Sequence, residues 1–222
     1  MYHRLLASLL VITLYLSASA ARADSLDGVR DTAVVVIATA RDKEAIGSGV
    51  IVDATPTHIR VLTARHVALF GELVIRVHGS SRRAHIVRTW PDHDLALIDA
   101  DVDLMHFGSI QSAHVGMPSG AGAPIVILGS GDTFETALLP GSIDALDPAL
   151  PDGPANGRFT IACAKCAHGD SGSGIFDQEG MLIGILSAAW VTPTGKVVML
   201  VAEPAAEILQ AGPTTGSSLA EK

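Results

Sequence analysis

The stretch Gly169-Asp170-Ser171-Gly172-Ser173-Gly174 places a serine between glycines, after the end of one predicted strand and before the next. Glycine permits positive φ angles and a close approach of the backbone to a bound group. Here it can turn the amides of Gly169 and Ser171 toward one point, as the stabilisation of an oxyanion requires. The same pattern is also typical of a flexible turn, so the choice between the two interpretations depends on the other residues of the chain.

A serine nucleophile needs an imidazole that takes its proton and a carboxylate that orients the imidazole. Among nine histidines, His66 follows the apolar segment Val61-Leu62-Thr63-Ala64 in a small-residue turn. Asp94 leads directly into an apolar run, whereas Asp92 lies beside a proline and is typical of a turn. A loop histidine alone indicates nothing, but beside the serine motif His66 and Asp94 become the candidate base and carboxylate.

Short, β-branched apolar segments separated by turn residues predict strands throughout the chain. A loop from Asp101 to Pro118 divides the predicted strands into two sets of six. The first set is Ala33–Thr39, Ile46–Val52, Ile59–Thr63, Leu73–His78, Ala84–Thr89 and Leu95–Asp99. The second set is Ala123–Gly129, Glu135–Ala145, Arg158–Ala162, Ser173–Asp177, Met181–Ala189 and Lys196–Ala202.

Helical signals are confined to the segment 205–210, which follows Pro204 and precedes Gly212. Strands without intervening helices exclude a doubly wound fold and leave an all-β sandwich or barrel. With 222 residues, 48% hydrophobic and 17% charged, the chain is neither disordered nor a coiled coil. Its net charge of −8 argues against nucleic acid or an anionic membrane as the main partner.

Residues 1–23 have the pattern of a secretory signal peptide, with Arg4, the apolar run Leu5–Leu16 and small residues up to Ala23. About twelve apolar residues are too few to span a membrane, which needs ~20. Removal of this segment would change the net charge from −8 to −10, because two arginines and no acids lie in it. We therefore predict an exported protein, periplasmic or secreted, without a membrane span after signal removal, and a flexible tail over residues 212–222.

Three segments resemble motifs of the trypsin-like serine peptidases of the chymotrypsin fold. Thr63-Ala64-Arg65-His66 resembles the family's T-A-x-H segment, Asp94-Leu95-Ala96-Leu97 its D-[IL]-A-L segment, and Gly169-Asp170-Ser171-Gly172 its G-D-S-G segment. The order His, Asp, Ser matches that family and differs from the order in subtilisins and α/β-hydrolases. The resemblance implies two six-stranded antiparallel β-barrels, over residues 24–112 and 113–211, with a short C-terminal helix.

The resemblance also implies the roles of the candidate residues. Ser171 would attack the scissile carbonyl, His66 would act as base and then as acid, and Asp94 would hold the imidazole tautomer. The amides of Gly169 and Ser171 would form the oxyanion hole. A polypeptide substrate and no cofactor or metal are expected; the oligomeric state is not predicted.

Two further segments resemble the walls of the family's specificity pocket. Ser187, Ala188 and Ala189 lie on a strand like the one that pairs with the substrate backbone. Lys165 lies six residues before Ser171, where the family's pocket floor often carries its specificity residue. If its ammonium group points inward, an acidic side chain at the cleavage position is favoured. The alternative is a solvated lysine or one paired with Asp170.

Cys163 and Cys166 stand immediately before the serine motif. In an exported chain the pair is expected to form a small disulfide loop that stiffens the pocket wall. A redox-active C-x-x-C lacks the expected βαβ context. A metal site with His168 would hold three nearby ligands where structural zinc takes four.

The chain departs from the family pattern at Ser173 and Gly174, where G-D-S-G-G-P is usual, and at Val67, where animal members often carry cysteine. These features resemble bacterial members, including the protease domain of HtrA-like enzymes, here expected without their PDZ domain. No zymogen activation pattern occurs, so Asp170 requires a partner other than a newly freed N-terminus. The altered turn leaves a second hypothesis open, a catalytically silent trypsin-like fold that acts as a binding protein.

Overall fold

A computed structural model of the chain describes residues 26, 28–90, 92–103, 110–131, 135–153, 155–194 and 197–210. The predicted signal peptide over residues 1–23 and the predicted tail over 212–222 lie outside these residues. Within the described ranges, every helix is too short or too polar to cross a membrane.

The described residues form strands β1–β12 and the helices α1 (Arg65–Ala68) and α2 (Ala205–Gln210). The first six strands are β1 (Ala33–Ala40), β2 (Lys43–Thr55), β3 (His58–Ala64), β4 (Glu72–Val77), β5 (Ser80–Trp90) and β6 (Leu95–Asp101). The second six are β7 (Pro124–Gly129), β8 (Ala137–Leu146), β9 (Phe159–Ala162), β10 (Gly174–Phe176), β11 (Leu182–Val191) and β12 (Val197–Pro204). All twelve predicted strands are present, and so is the predicted C-terminal helix.

Each set of six strands closes into an antiparallel barrel. The first barrel has the order β1-β2-β3-β6-β5-β4, and the second has the equivalent order β7-β8-β9-β12-β11-β10. The all-β prediction is therefore confirmed. The strand pattern left a sandwich or a barrel open, and the structure has two barrels. Because the sequence has no internal repeat, the two barrels reach the same topology with different residues.

The first four residues of β6 are all apolar, and the two faces of the strand pack into different apolar clusters. Ala96, Ile98 and Ala100 point into the core of the first barrel. Leu95 and Leu97 belong to a separate apolar cluster that lies between the barrels. Because Leu95–Ile98 are buried on both faces of the strand, this part of β6 has no polar positions, and the first polar residues are Asp99 and Asp101 near its end.

The cluster between the barrels joins them into one unit. Leu62 and Trp90 enter it from the first barrel, and Leu128 and Phe176 enter it from the second. Burial of a side chain of this size stabilises the folded state by roughly 1.5–3 kcal/mol. The candidate residues lie where β3 ends, where β6 begins and where β10 begins, so the packing of the two barrels decides their distances.

Candidate active site

His66 lies on α1, a single helical turn in place of the small-residue turn that the sequence predicts. Val67 and Ala68 are buried against the first barrel at 2% and 1% exposure. Because Val67 and Ala68 face the barrel, His66 is turned away from it, and its side chain is 52% exposed.

Asp94 immediately precedes β6 and holds α1 by its backbone and its side chain. Its carbonyl oxygen accepts a hydrogen bond from the Arg65 amide at 3.0 Å. Its Oδ1 accepts from the His66 amide at 2.9 Å, and its Oδ2 lies 2.6 Å from His66 Nδ1. Because an ionised carboxylate only accepts, Nδ1 carries the proton and Nε2 presents a lone pair. The pair is arranged as a base with a fixed tautomer.

The turn that carries Ser171 depends on two glycines. Gly169 and Gly172 have φ angles of +90° and +89°, where an L side chain is strained. A Cβ at Gly172 would also overlap the carbonyl oxygen of Ser48 on β2. The Ser48 amide donates to the Ser171 carbonyl at 2.8 Å, so the first barrel holds the backbone of this turn.

The amides of this turn fall into two groups. Those of Asp170, Gly172 and Ser173 donate to backbone carbonyls. Those of Gly169 and Ser171 donate to no acceptor in the described part of the chain. Two unpaired donors beside a serine are the arrangement that can stabilise an oxyanion.

Asp170 is buried, at 2% exposure, and its partners include two backbone amides. Its Oδ1 accepts from the Gly131 amide at 3.0 Å, and its Oδ2 accepts from the Ala167 amide at 2.7 Å. Gly129 leaves the room for this carboxylate, since a Cβ there would overlap it. Backbone amides thus bind the Asp170 carboxylate, which a newly freed N-terminus would bind in an activated zymogen.

Two serines that sequence reasoning missed support the same turn. Ser48 and Ser130 are buried at 1% and 4% exposure, and their Oγ atoms lie 2.9 Å apart. Ser48 Oγ also accepts from the Ser130 amide at 3.0 Å and donates to the Gly169 carbonyl at 3.2 Å. Ser48 belongs to an apolar strand and Ser130 follows another, so no local pattern connects them.

His66, Asp94 and Ser171 line one cavity of about 510 Å³. Three of the predicted substrate-binding residues line it too: Ser187, Ala188 and Ala189. The rest of the wall comes from β11, β12 and the segment before the serine turn: Leu186, Val191, Val197, Leu200, Cys166, Ala167 and His168. The structure therefore brings together nearly all the residues that the motifs indicate. The additional wall residues make this cavity largely apolar.

Strand β11 has one unpaired edge beside the cavity. β10 pairs with β11 only from Leu182 to Ile185. From Ala188 to Val191, β11 pairs with β12 alone among the described residues. Its other edge is open to an added strand.

The structure places Lys165 outside the cavity, which agrees with a solvated lysine, the alternative to an inward-facing one on the pocket floor. A disulfide joins Cys163 to Cys166 and closes a tight loop. Ala164 and Lys165, the two residues inside the loop, are both exposed. Because the disulfide loop directs Lys165 to the surface, the basis for an acidic cleavage preference is absent.

A buried carboxylate behind Asp94 was not expected from the sequence. Glu203 on β12 is 1% exposed, and its Oε1 accepts from the Asp94 amide at 3.3 Å. Its Oε2 lies 2.7 Å from His93 Nδ1. The Ser187 hydroxyl donates to the Val201 carbonyl at 3.2 Å and lies 3.5 Å from Glu203 Oε1. The available signal was a single acid in an otherwise apolar strand.

Comparison with known proteins gives a family and a fold. Residues 47–185 match the trypsin-like peptidase domain family. No curated protein matches the chain. In the described residues, no three His, Cys, Asp or Glu side chains converge to hold a metal ion.

The solved structures that resemble the chain include HtrA-type proteases. AlgW with a tripeptide is 22% identical with a TM-score of 0.71, and the match covers 85% of this chain and 61% of that chain. The serine endoprotease from Yersinia pestis is 19% identical with a TM-score of 0.66, covering 85% and 64%. The active form of the Rv3671c protease from M. tuberculosis is 20% identical with a TM-score of 0.66, covering 83% and 81%. The chain thus spans less than two thirds of the length of AlgW and shares its protease fold.

Proposed function

The chain belongs to the trypsin-like peptidase family, and on this premise we propose that it is an exported serine endopeptidase. Its catalytic triad is His66, Asp94 and Ser171, and it acts through an acyl-enzyme. One observation carries the proposal: Ser171 and the His66–Asp94 pair line the same cavity. Beside them lie the amides of Gly169 and Ser171, which donate to no acceptor among the residues that the structure describes.

The geometry supports the following sequence of steps. Ser171 Oγ attacks the scissile carbonyl carbon while His66 Nε2 takes the hydroxyl proton. Asp94 holds Nδ1–H and stabilises the imidazolium. The oxyanion accepts from the amides of Gly169 and Ser171, and removal of one such donor costs about 3–4 kcal/mol in enzymes of this kind. His66 then protonates the leaving amine, and water hydrolyses the acyl-enzyme by the same route.

The substrate is an extended polypeptide that binds to the open edge of β11. Backbone hydrogen bonds to Ala188–Val191 would hold it, as in strand addition. The apolar wall formed by Leu186, Val191 and Leu200 favours an apolar side chain at the cleavage position. AlgW, solved with a tripeptide, is consistent with this class of substrate.

Export rests on residues 1–23, which we propose are removed as a signal peptide. Residues 24–211 then form one peptidase unit, with the barrels assigned to 24–112 and 113–211. The remaining segment, 212–222, is proposed as a polar tail.

Hydrolysis of casein and of a peptide library tests the proposal. We expect the purified protein beginning at Asp24 to cleave both substrates and Ser171→Ala to be inactive. The matched control is Ser173→Ala, since Ser173 Oγ is buried without a hydrogen-bond partner among the described residues. This control should keep wild-type activity.

The same experiment decides between the enzyme and a silent binding fold. A folded wild-type protein that cleaves no member of the library, or whose activity survives Ser171→Ala, contradicts the proposal. Cleavage after apolar residues supports the apolar pocket, and cleavage after acidic residues alone contradicts it.

A further inference from the structure

Glu203 contacts two consecutive residues of the loop that ends in Asp94. Its Oε1 accepts from the Asp94 amide at 3.3 Å, and its Oε2 lies 2.7 Å from His93 Nδ1. The Glu203 side chain is 2% exposed and that of His93 is 18% exposed. A carboxylate so deeply buried needs hydrogen-bond donors, and the loop of the opposite barrel supplies two of them.

The backbone of the second barrel connects Glu203 to the turn of Ser171. The Gly172 amide donates to the Leu186 carbonyl at 2.7 Å. The neighbouring Ile185 is the register partner of Glu203 in the β11–β12 ladder. The serine and the buried carboxylate therefore belong to one hydrogen-bonded sheet, which leaves little freedom between them.

His66 and Asp94, in contrast, belong to the first barrel. The contact from Glu203 to the Asp94 amide crosses from the second barrel to the first. The residue that donates this amide is Asp94 itself, whose carboxylate orients His66. Movement of this loop would displace the imidazole relative to Ser171, and a displacement of about 1 Å can cost about 10²-fold in rate.

We propose that Glu203, held by His93, is a positioning residue that joins the Asp94 loop to the second barrel and thereby sets the distance between His66 and Ser171. The inference rests on the proposed peptidase function. Glu203 acts through Asp94 and does not touch the substrate. Its loss should therefore lower kcat while leaving KM nearly unchanged.

The first test compares two variants at one site. Glu203→Gln keeps an oxygen acceptor for the Asp94 amide, and Glu203→Leu removes every acceptor in a similar volume. We expect kcat to fall about 10²-fold in Glu203→Leu and less than about tenfold in Glu203→Gln, with KM within about threefold of wild type.

Asp99→Asn is the matched control. Asp99 is also a buried carboxylate, at 7% exposure, and it binds Arg60 and His58 on the first barrel away from the cavity. This variant should keep the wild-type kcat. Equal loss in Asp99→Asn and Glu203→Leu would overturn the proposal, because it would indicate a general effect on folding.

The second test uses His93, which is less buried and so less critical for folding. An asparagine side chain can place an amide donor near the position of Nδ1, whereas leucine offers none. We expect His93→Asn to retain most of the kcat that His93→Leu loses. Equal values for the two variants, or wild-type values for both, would contradict the positioning role.

An NMR measurement separates failure of this inference from failure of the proposed function. The downfield proton resonance of His66 Nδ1 reports its bond to Asp94 without any substrate. It should shift or broaden in Glu203→Leu and remain unchanged in Asp99→Asn. An unchanged resonance in Glu203→Leu overturns the inference even in an active enzyme, and a shifted one supports it even in a protein that cleaves no peptide.

Discussion

Two histidine–carboxylate pairs lie next to each other with nearly the same contact geometry. His66 Nδ1 is 2.6 Å from Asp94 Oδ2, and His93 Nδ1 is 2.7 Å from Glu203 Oε2. The two carboxylates differ in burial, since the Asp94 side chain is 27% exposed and that of Glu203 is 2% exposed. Contact geometry alone therefore does not identify a catalytic pair.

The surroundings of the two pairs separate their roles. His66 opens into the cavity that Ser171 lines, so its second nitrogen can take a proton there. Glu203 instead gathers donors from His93, the Asp94 amide and Ser187. We infer that the exposed pair serves the reaction and the buried pair holds it in place, so substitutions at the two carboxylates should affect different measurements.

The largest expected effect is that of Asp94→Asn on turnover. The variant presents an amide group to His66 Nδ1 and so favours the wrong imidazole tautomer, which lowers kcat by about 10⁴-fold in a Ser-His-Asp triad. The free energy of unfolding should change by less than about 1 kcal/mol, because the side chain is partly exposed. Steady-state kinetics and urea unfolding measure the two quantities.

Asp92→Asn is the control for this prediction. Asp92 is exposed and lies two residues earlier in the same loop. Its kcat should remain at the wild-type value. A kcat for Asp94→Asn within tenfold of wild type would remove Asp94 from the proposed triad.

The next effect is that of Glu203→Leu on stability. Two donors, His93 and the Asp94 amide, lose their acceptor, at about 1 kcal/mol each, while the Ser187 hydroxyl keeps the Val201 carbonyl. The free energy of unfolding should therefore fall by about 2 kcal/mol. His93→Leu added to it should recover part of this loss, because an unpaired buried donor is removed. Urea unfolding of the single and double variants measures this. A loss below about 0.5 kcal/mol would show that these donors do not depend on Glu203.

The smallest effect is expected at Asp152, which lines a second cavity together with His93 and Glu203. The hydrogen bond from Arg158 lowers the pKa of the Asp152 carboxyl. Its stabilising contribution is therefore present above the unfolded-state pKa and is lost as the pH falls through the lower folded-state pKa. Because the Asp152 side chain is 46% exposed, the contribution at pH 7 should be below about 1 kcal/mol.

Unfolding of Asp152→Asn at several pH values tests this sign. The variant should be slightly less stable than wild type near neutral pH, and the difference should vanish in acid. A difference that grows as the pH falls would contradict the assignment.

The sequence predicts those features that a short segment determines by itself. Strands such as β1 and β6 were predicted because their apolar patterns are local. His66, Asp94 and Ser171 were indicated because each lies in a short segment that resembles a family motif. The sequence leaves the position of Lys165 open between the pocket and solvent, because the disulfide loop decides which way this side chain points.

Contacts between distant residues left no pattern in the sequence. His93 and Glu203 are 110 residues apart, and Ser48 and Ser130 are 82 apart. Each contact depends on how the two barrels pack, which no single segment specifies. The residues that support a site are for this reason harder to predict than the residues that form it.

Labelling with a fluorophosphonate probe tests the central claim, that Ser171 is activated by His66, most directly. The wild-type protein should acquire a single adduct, and mass spectrometry of the digested protein should place it on Ser171. His66→Ala and Ser171→Ala should remain unlabelled while keeping native circular dichroism spectra. A natively folded wild-type protein that acquires no adduct, or one labelled equally well without His66, would contradict the account.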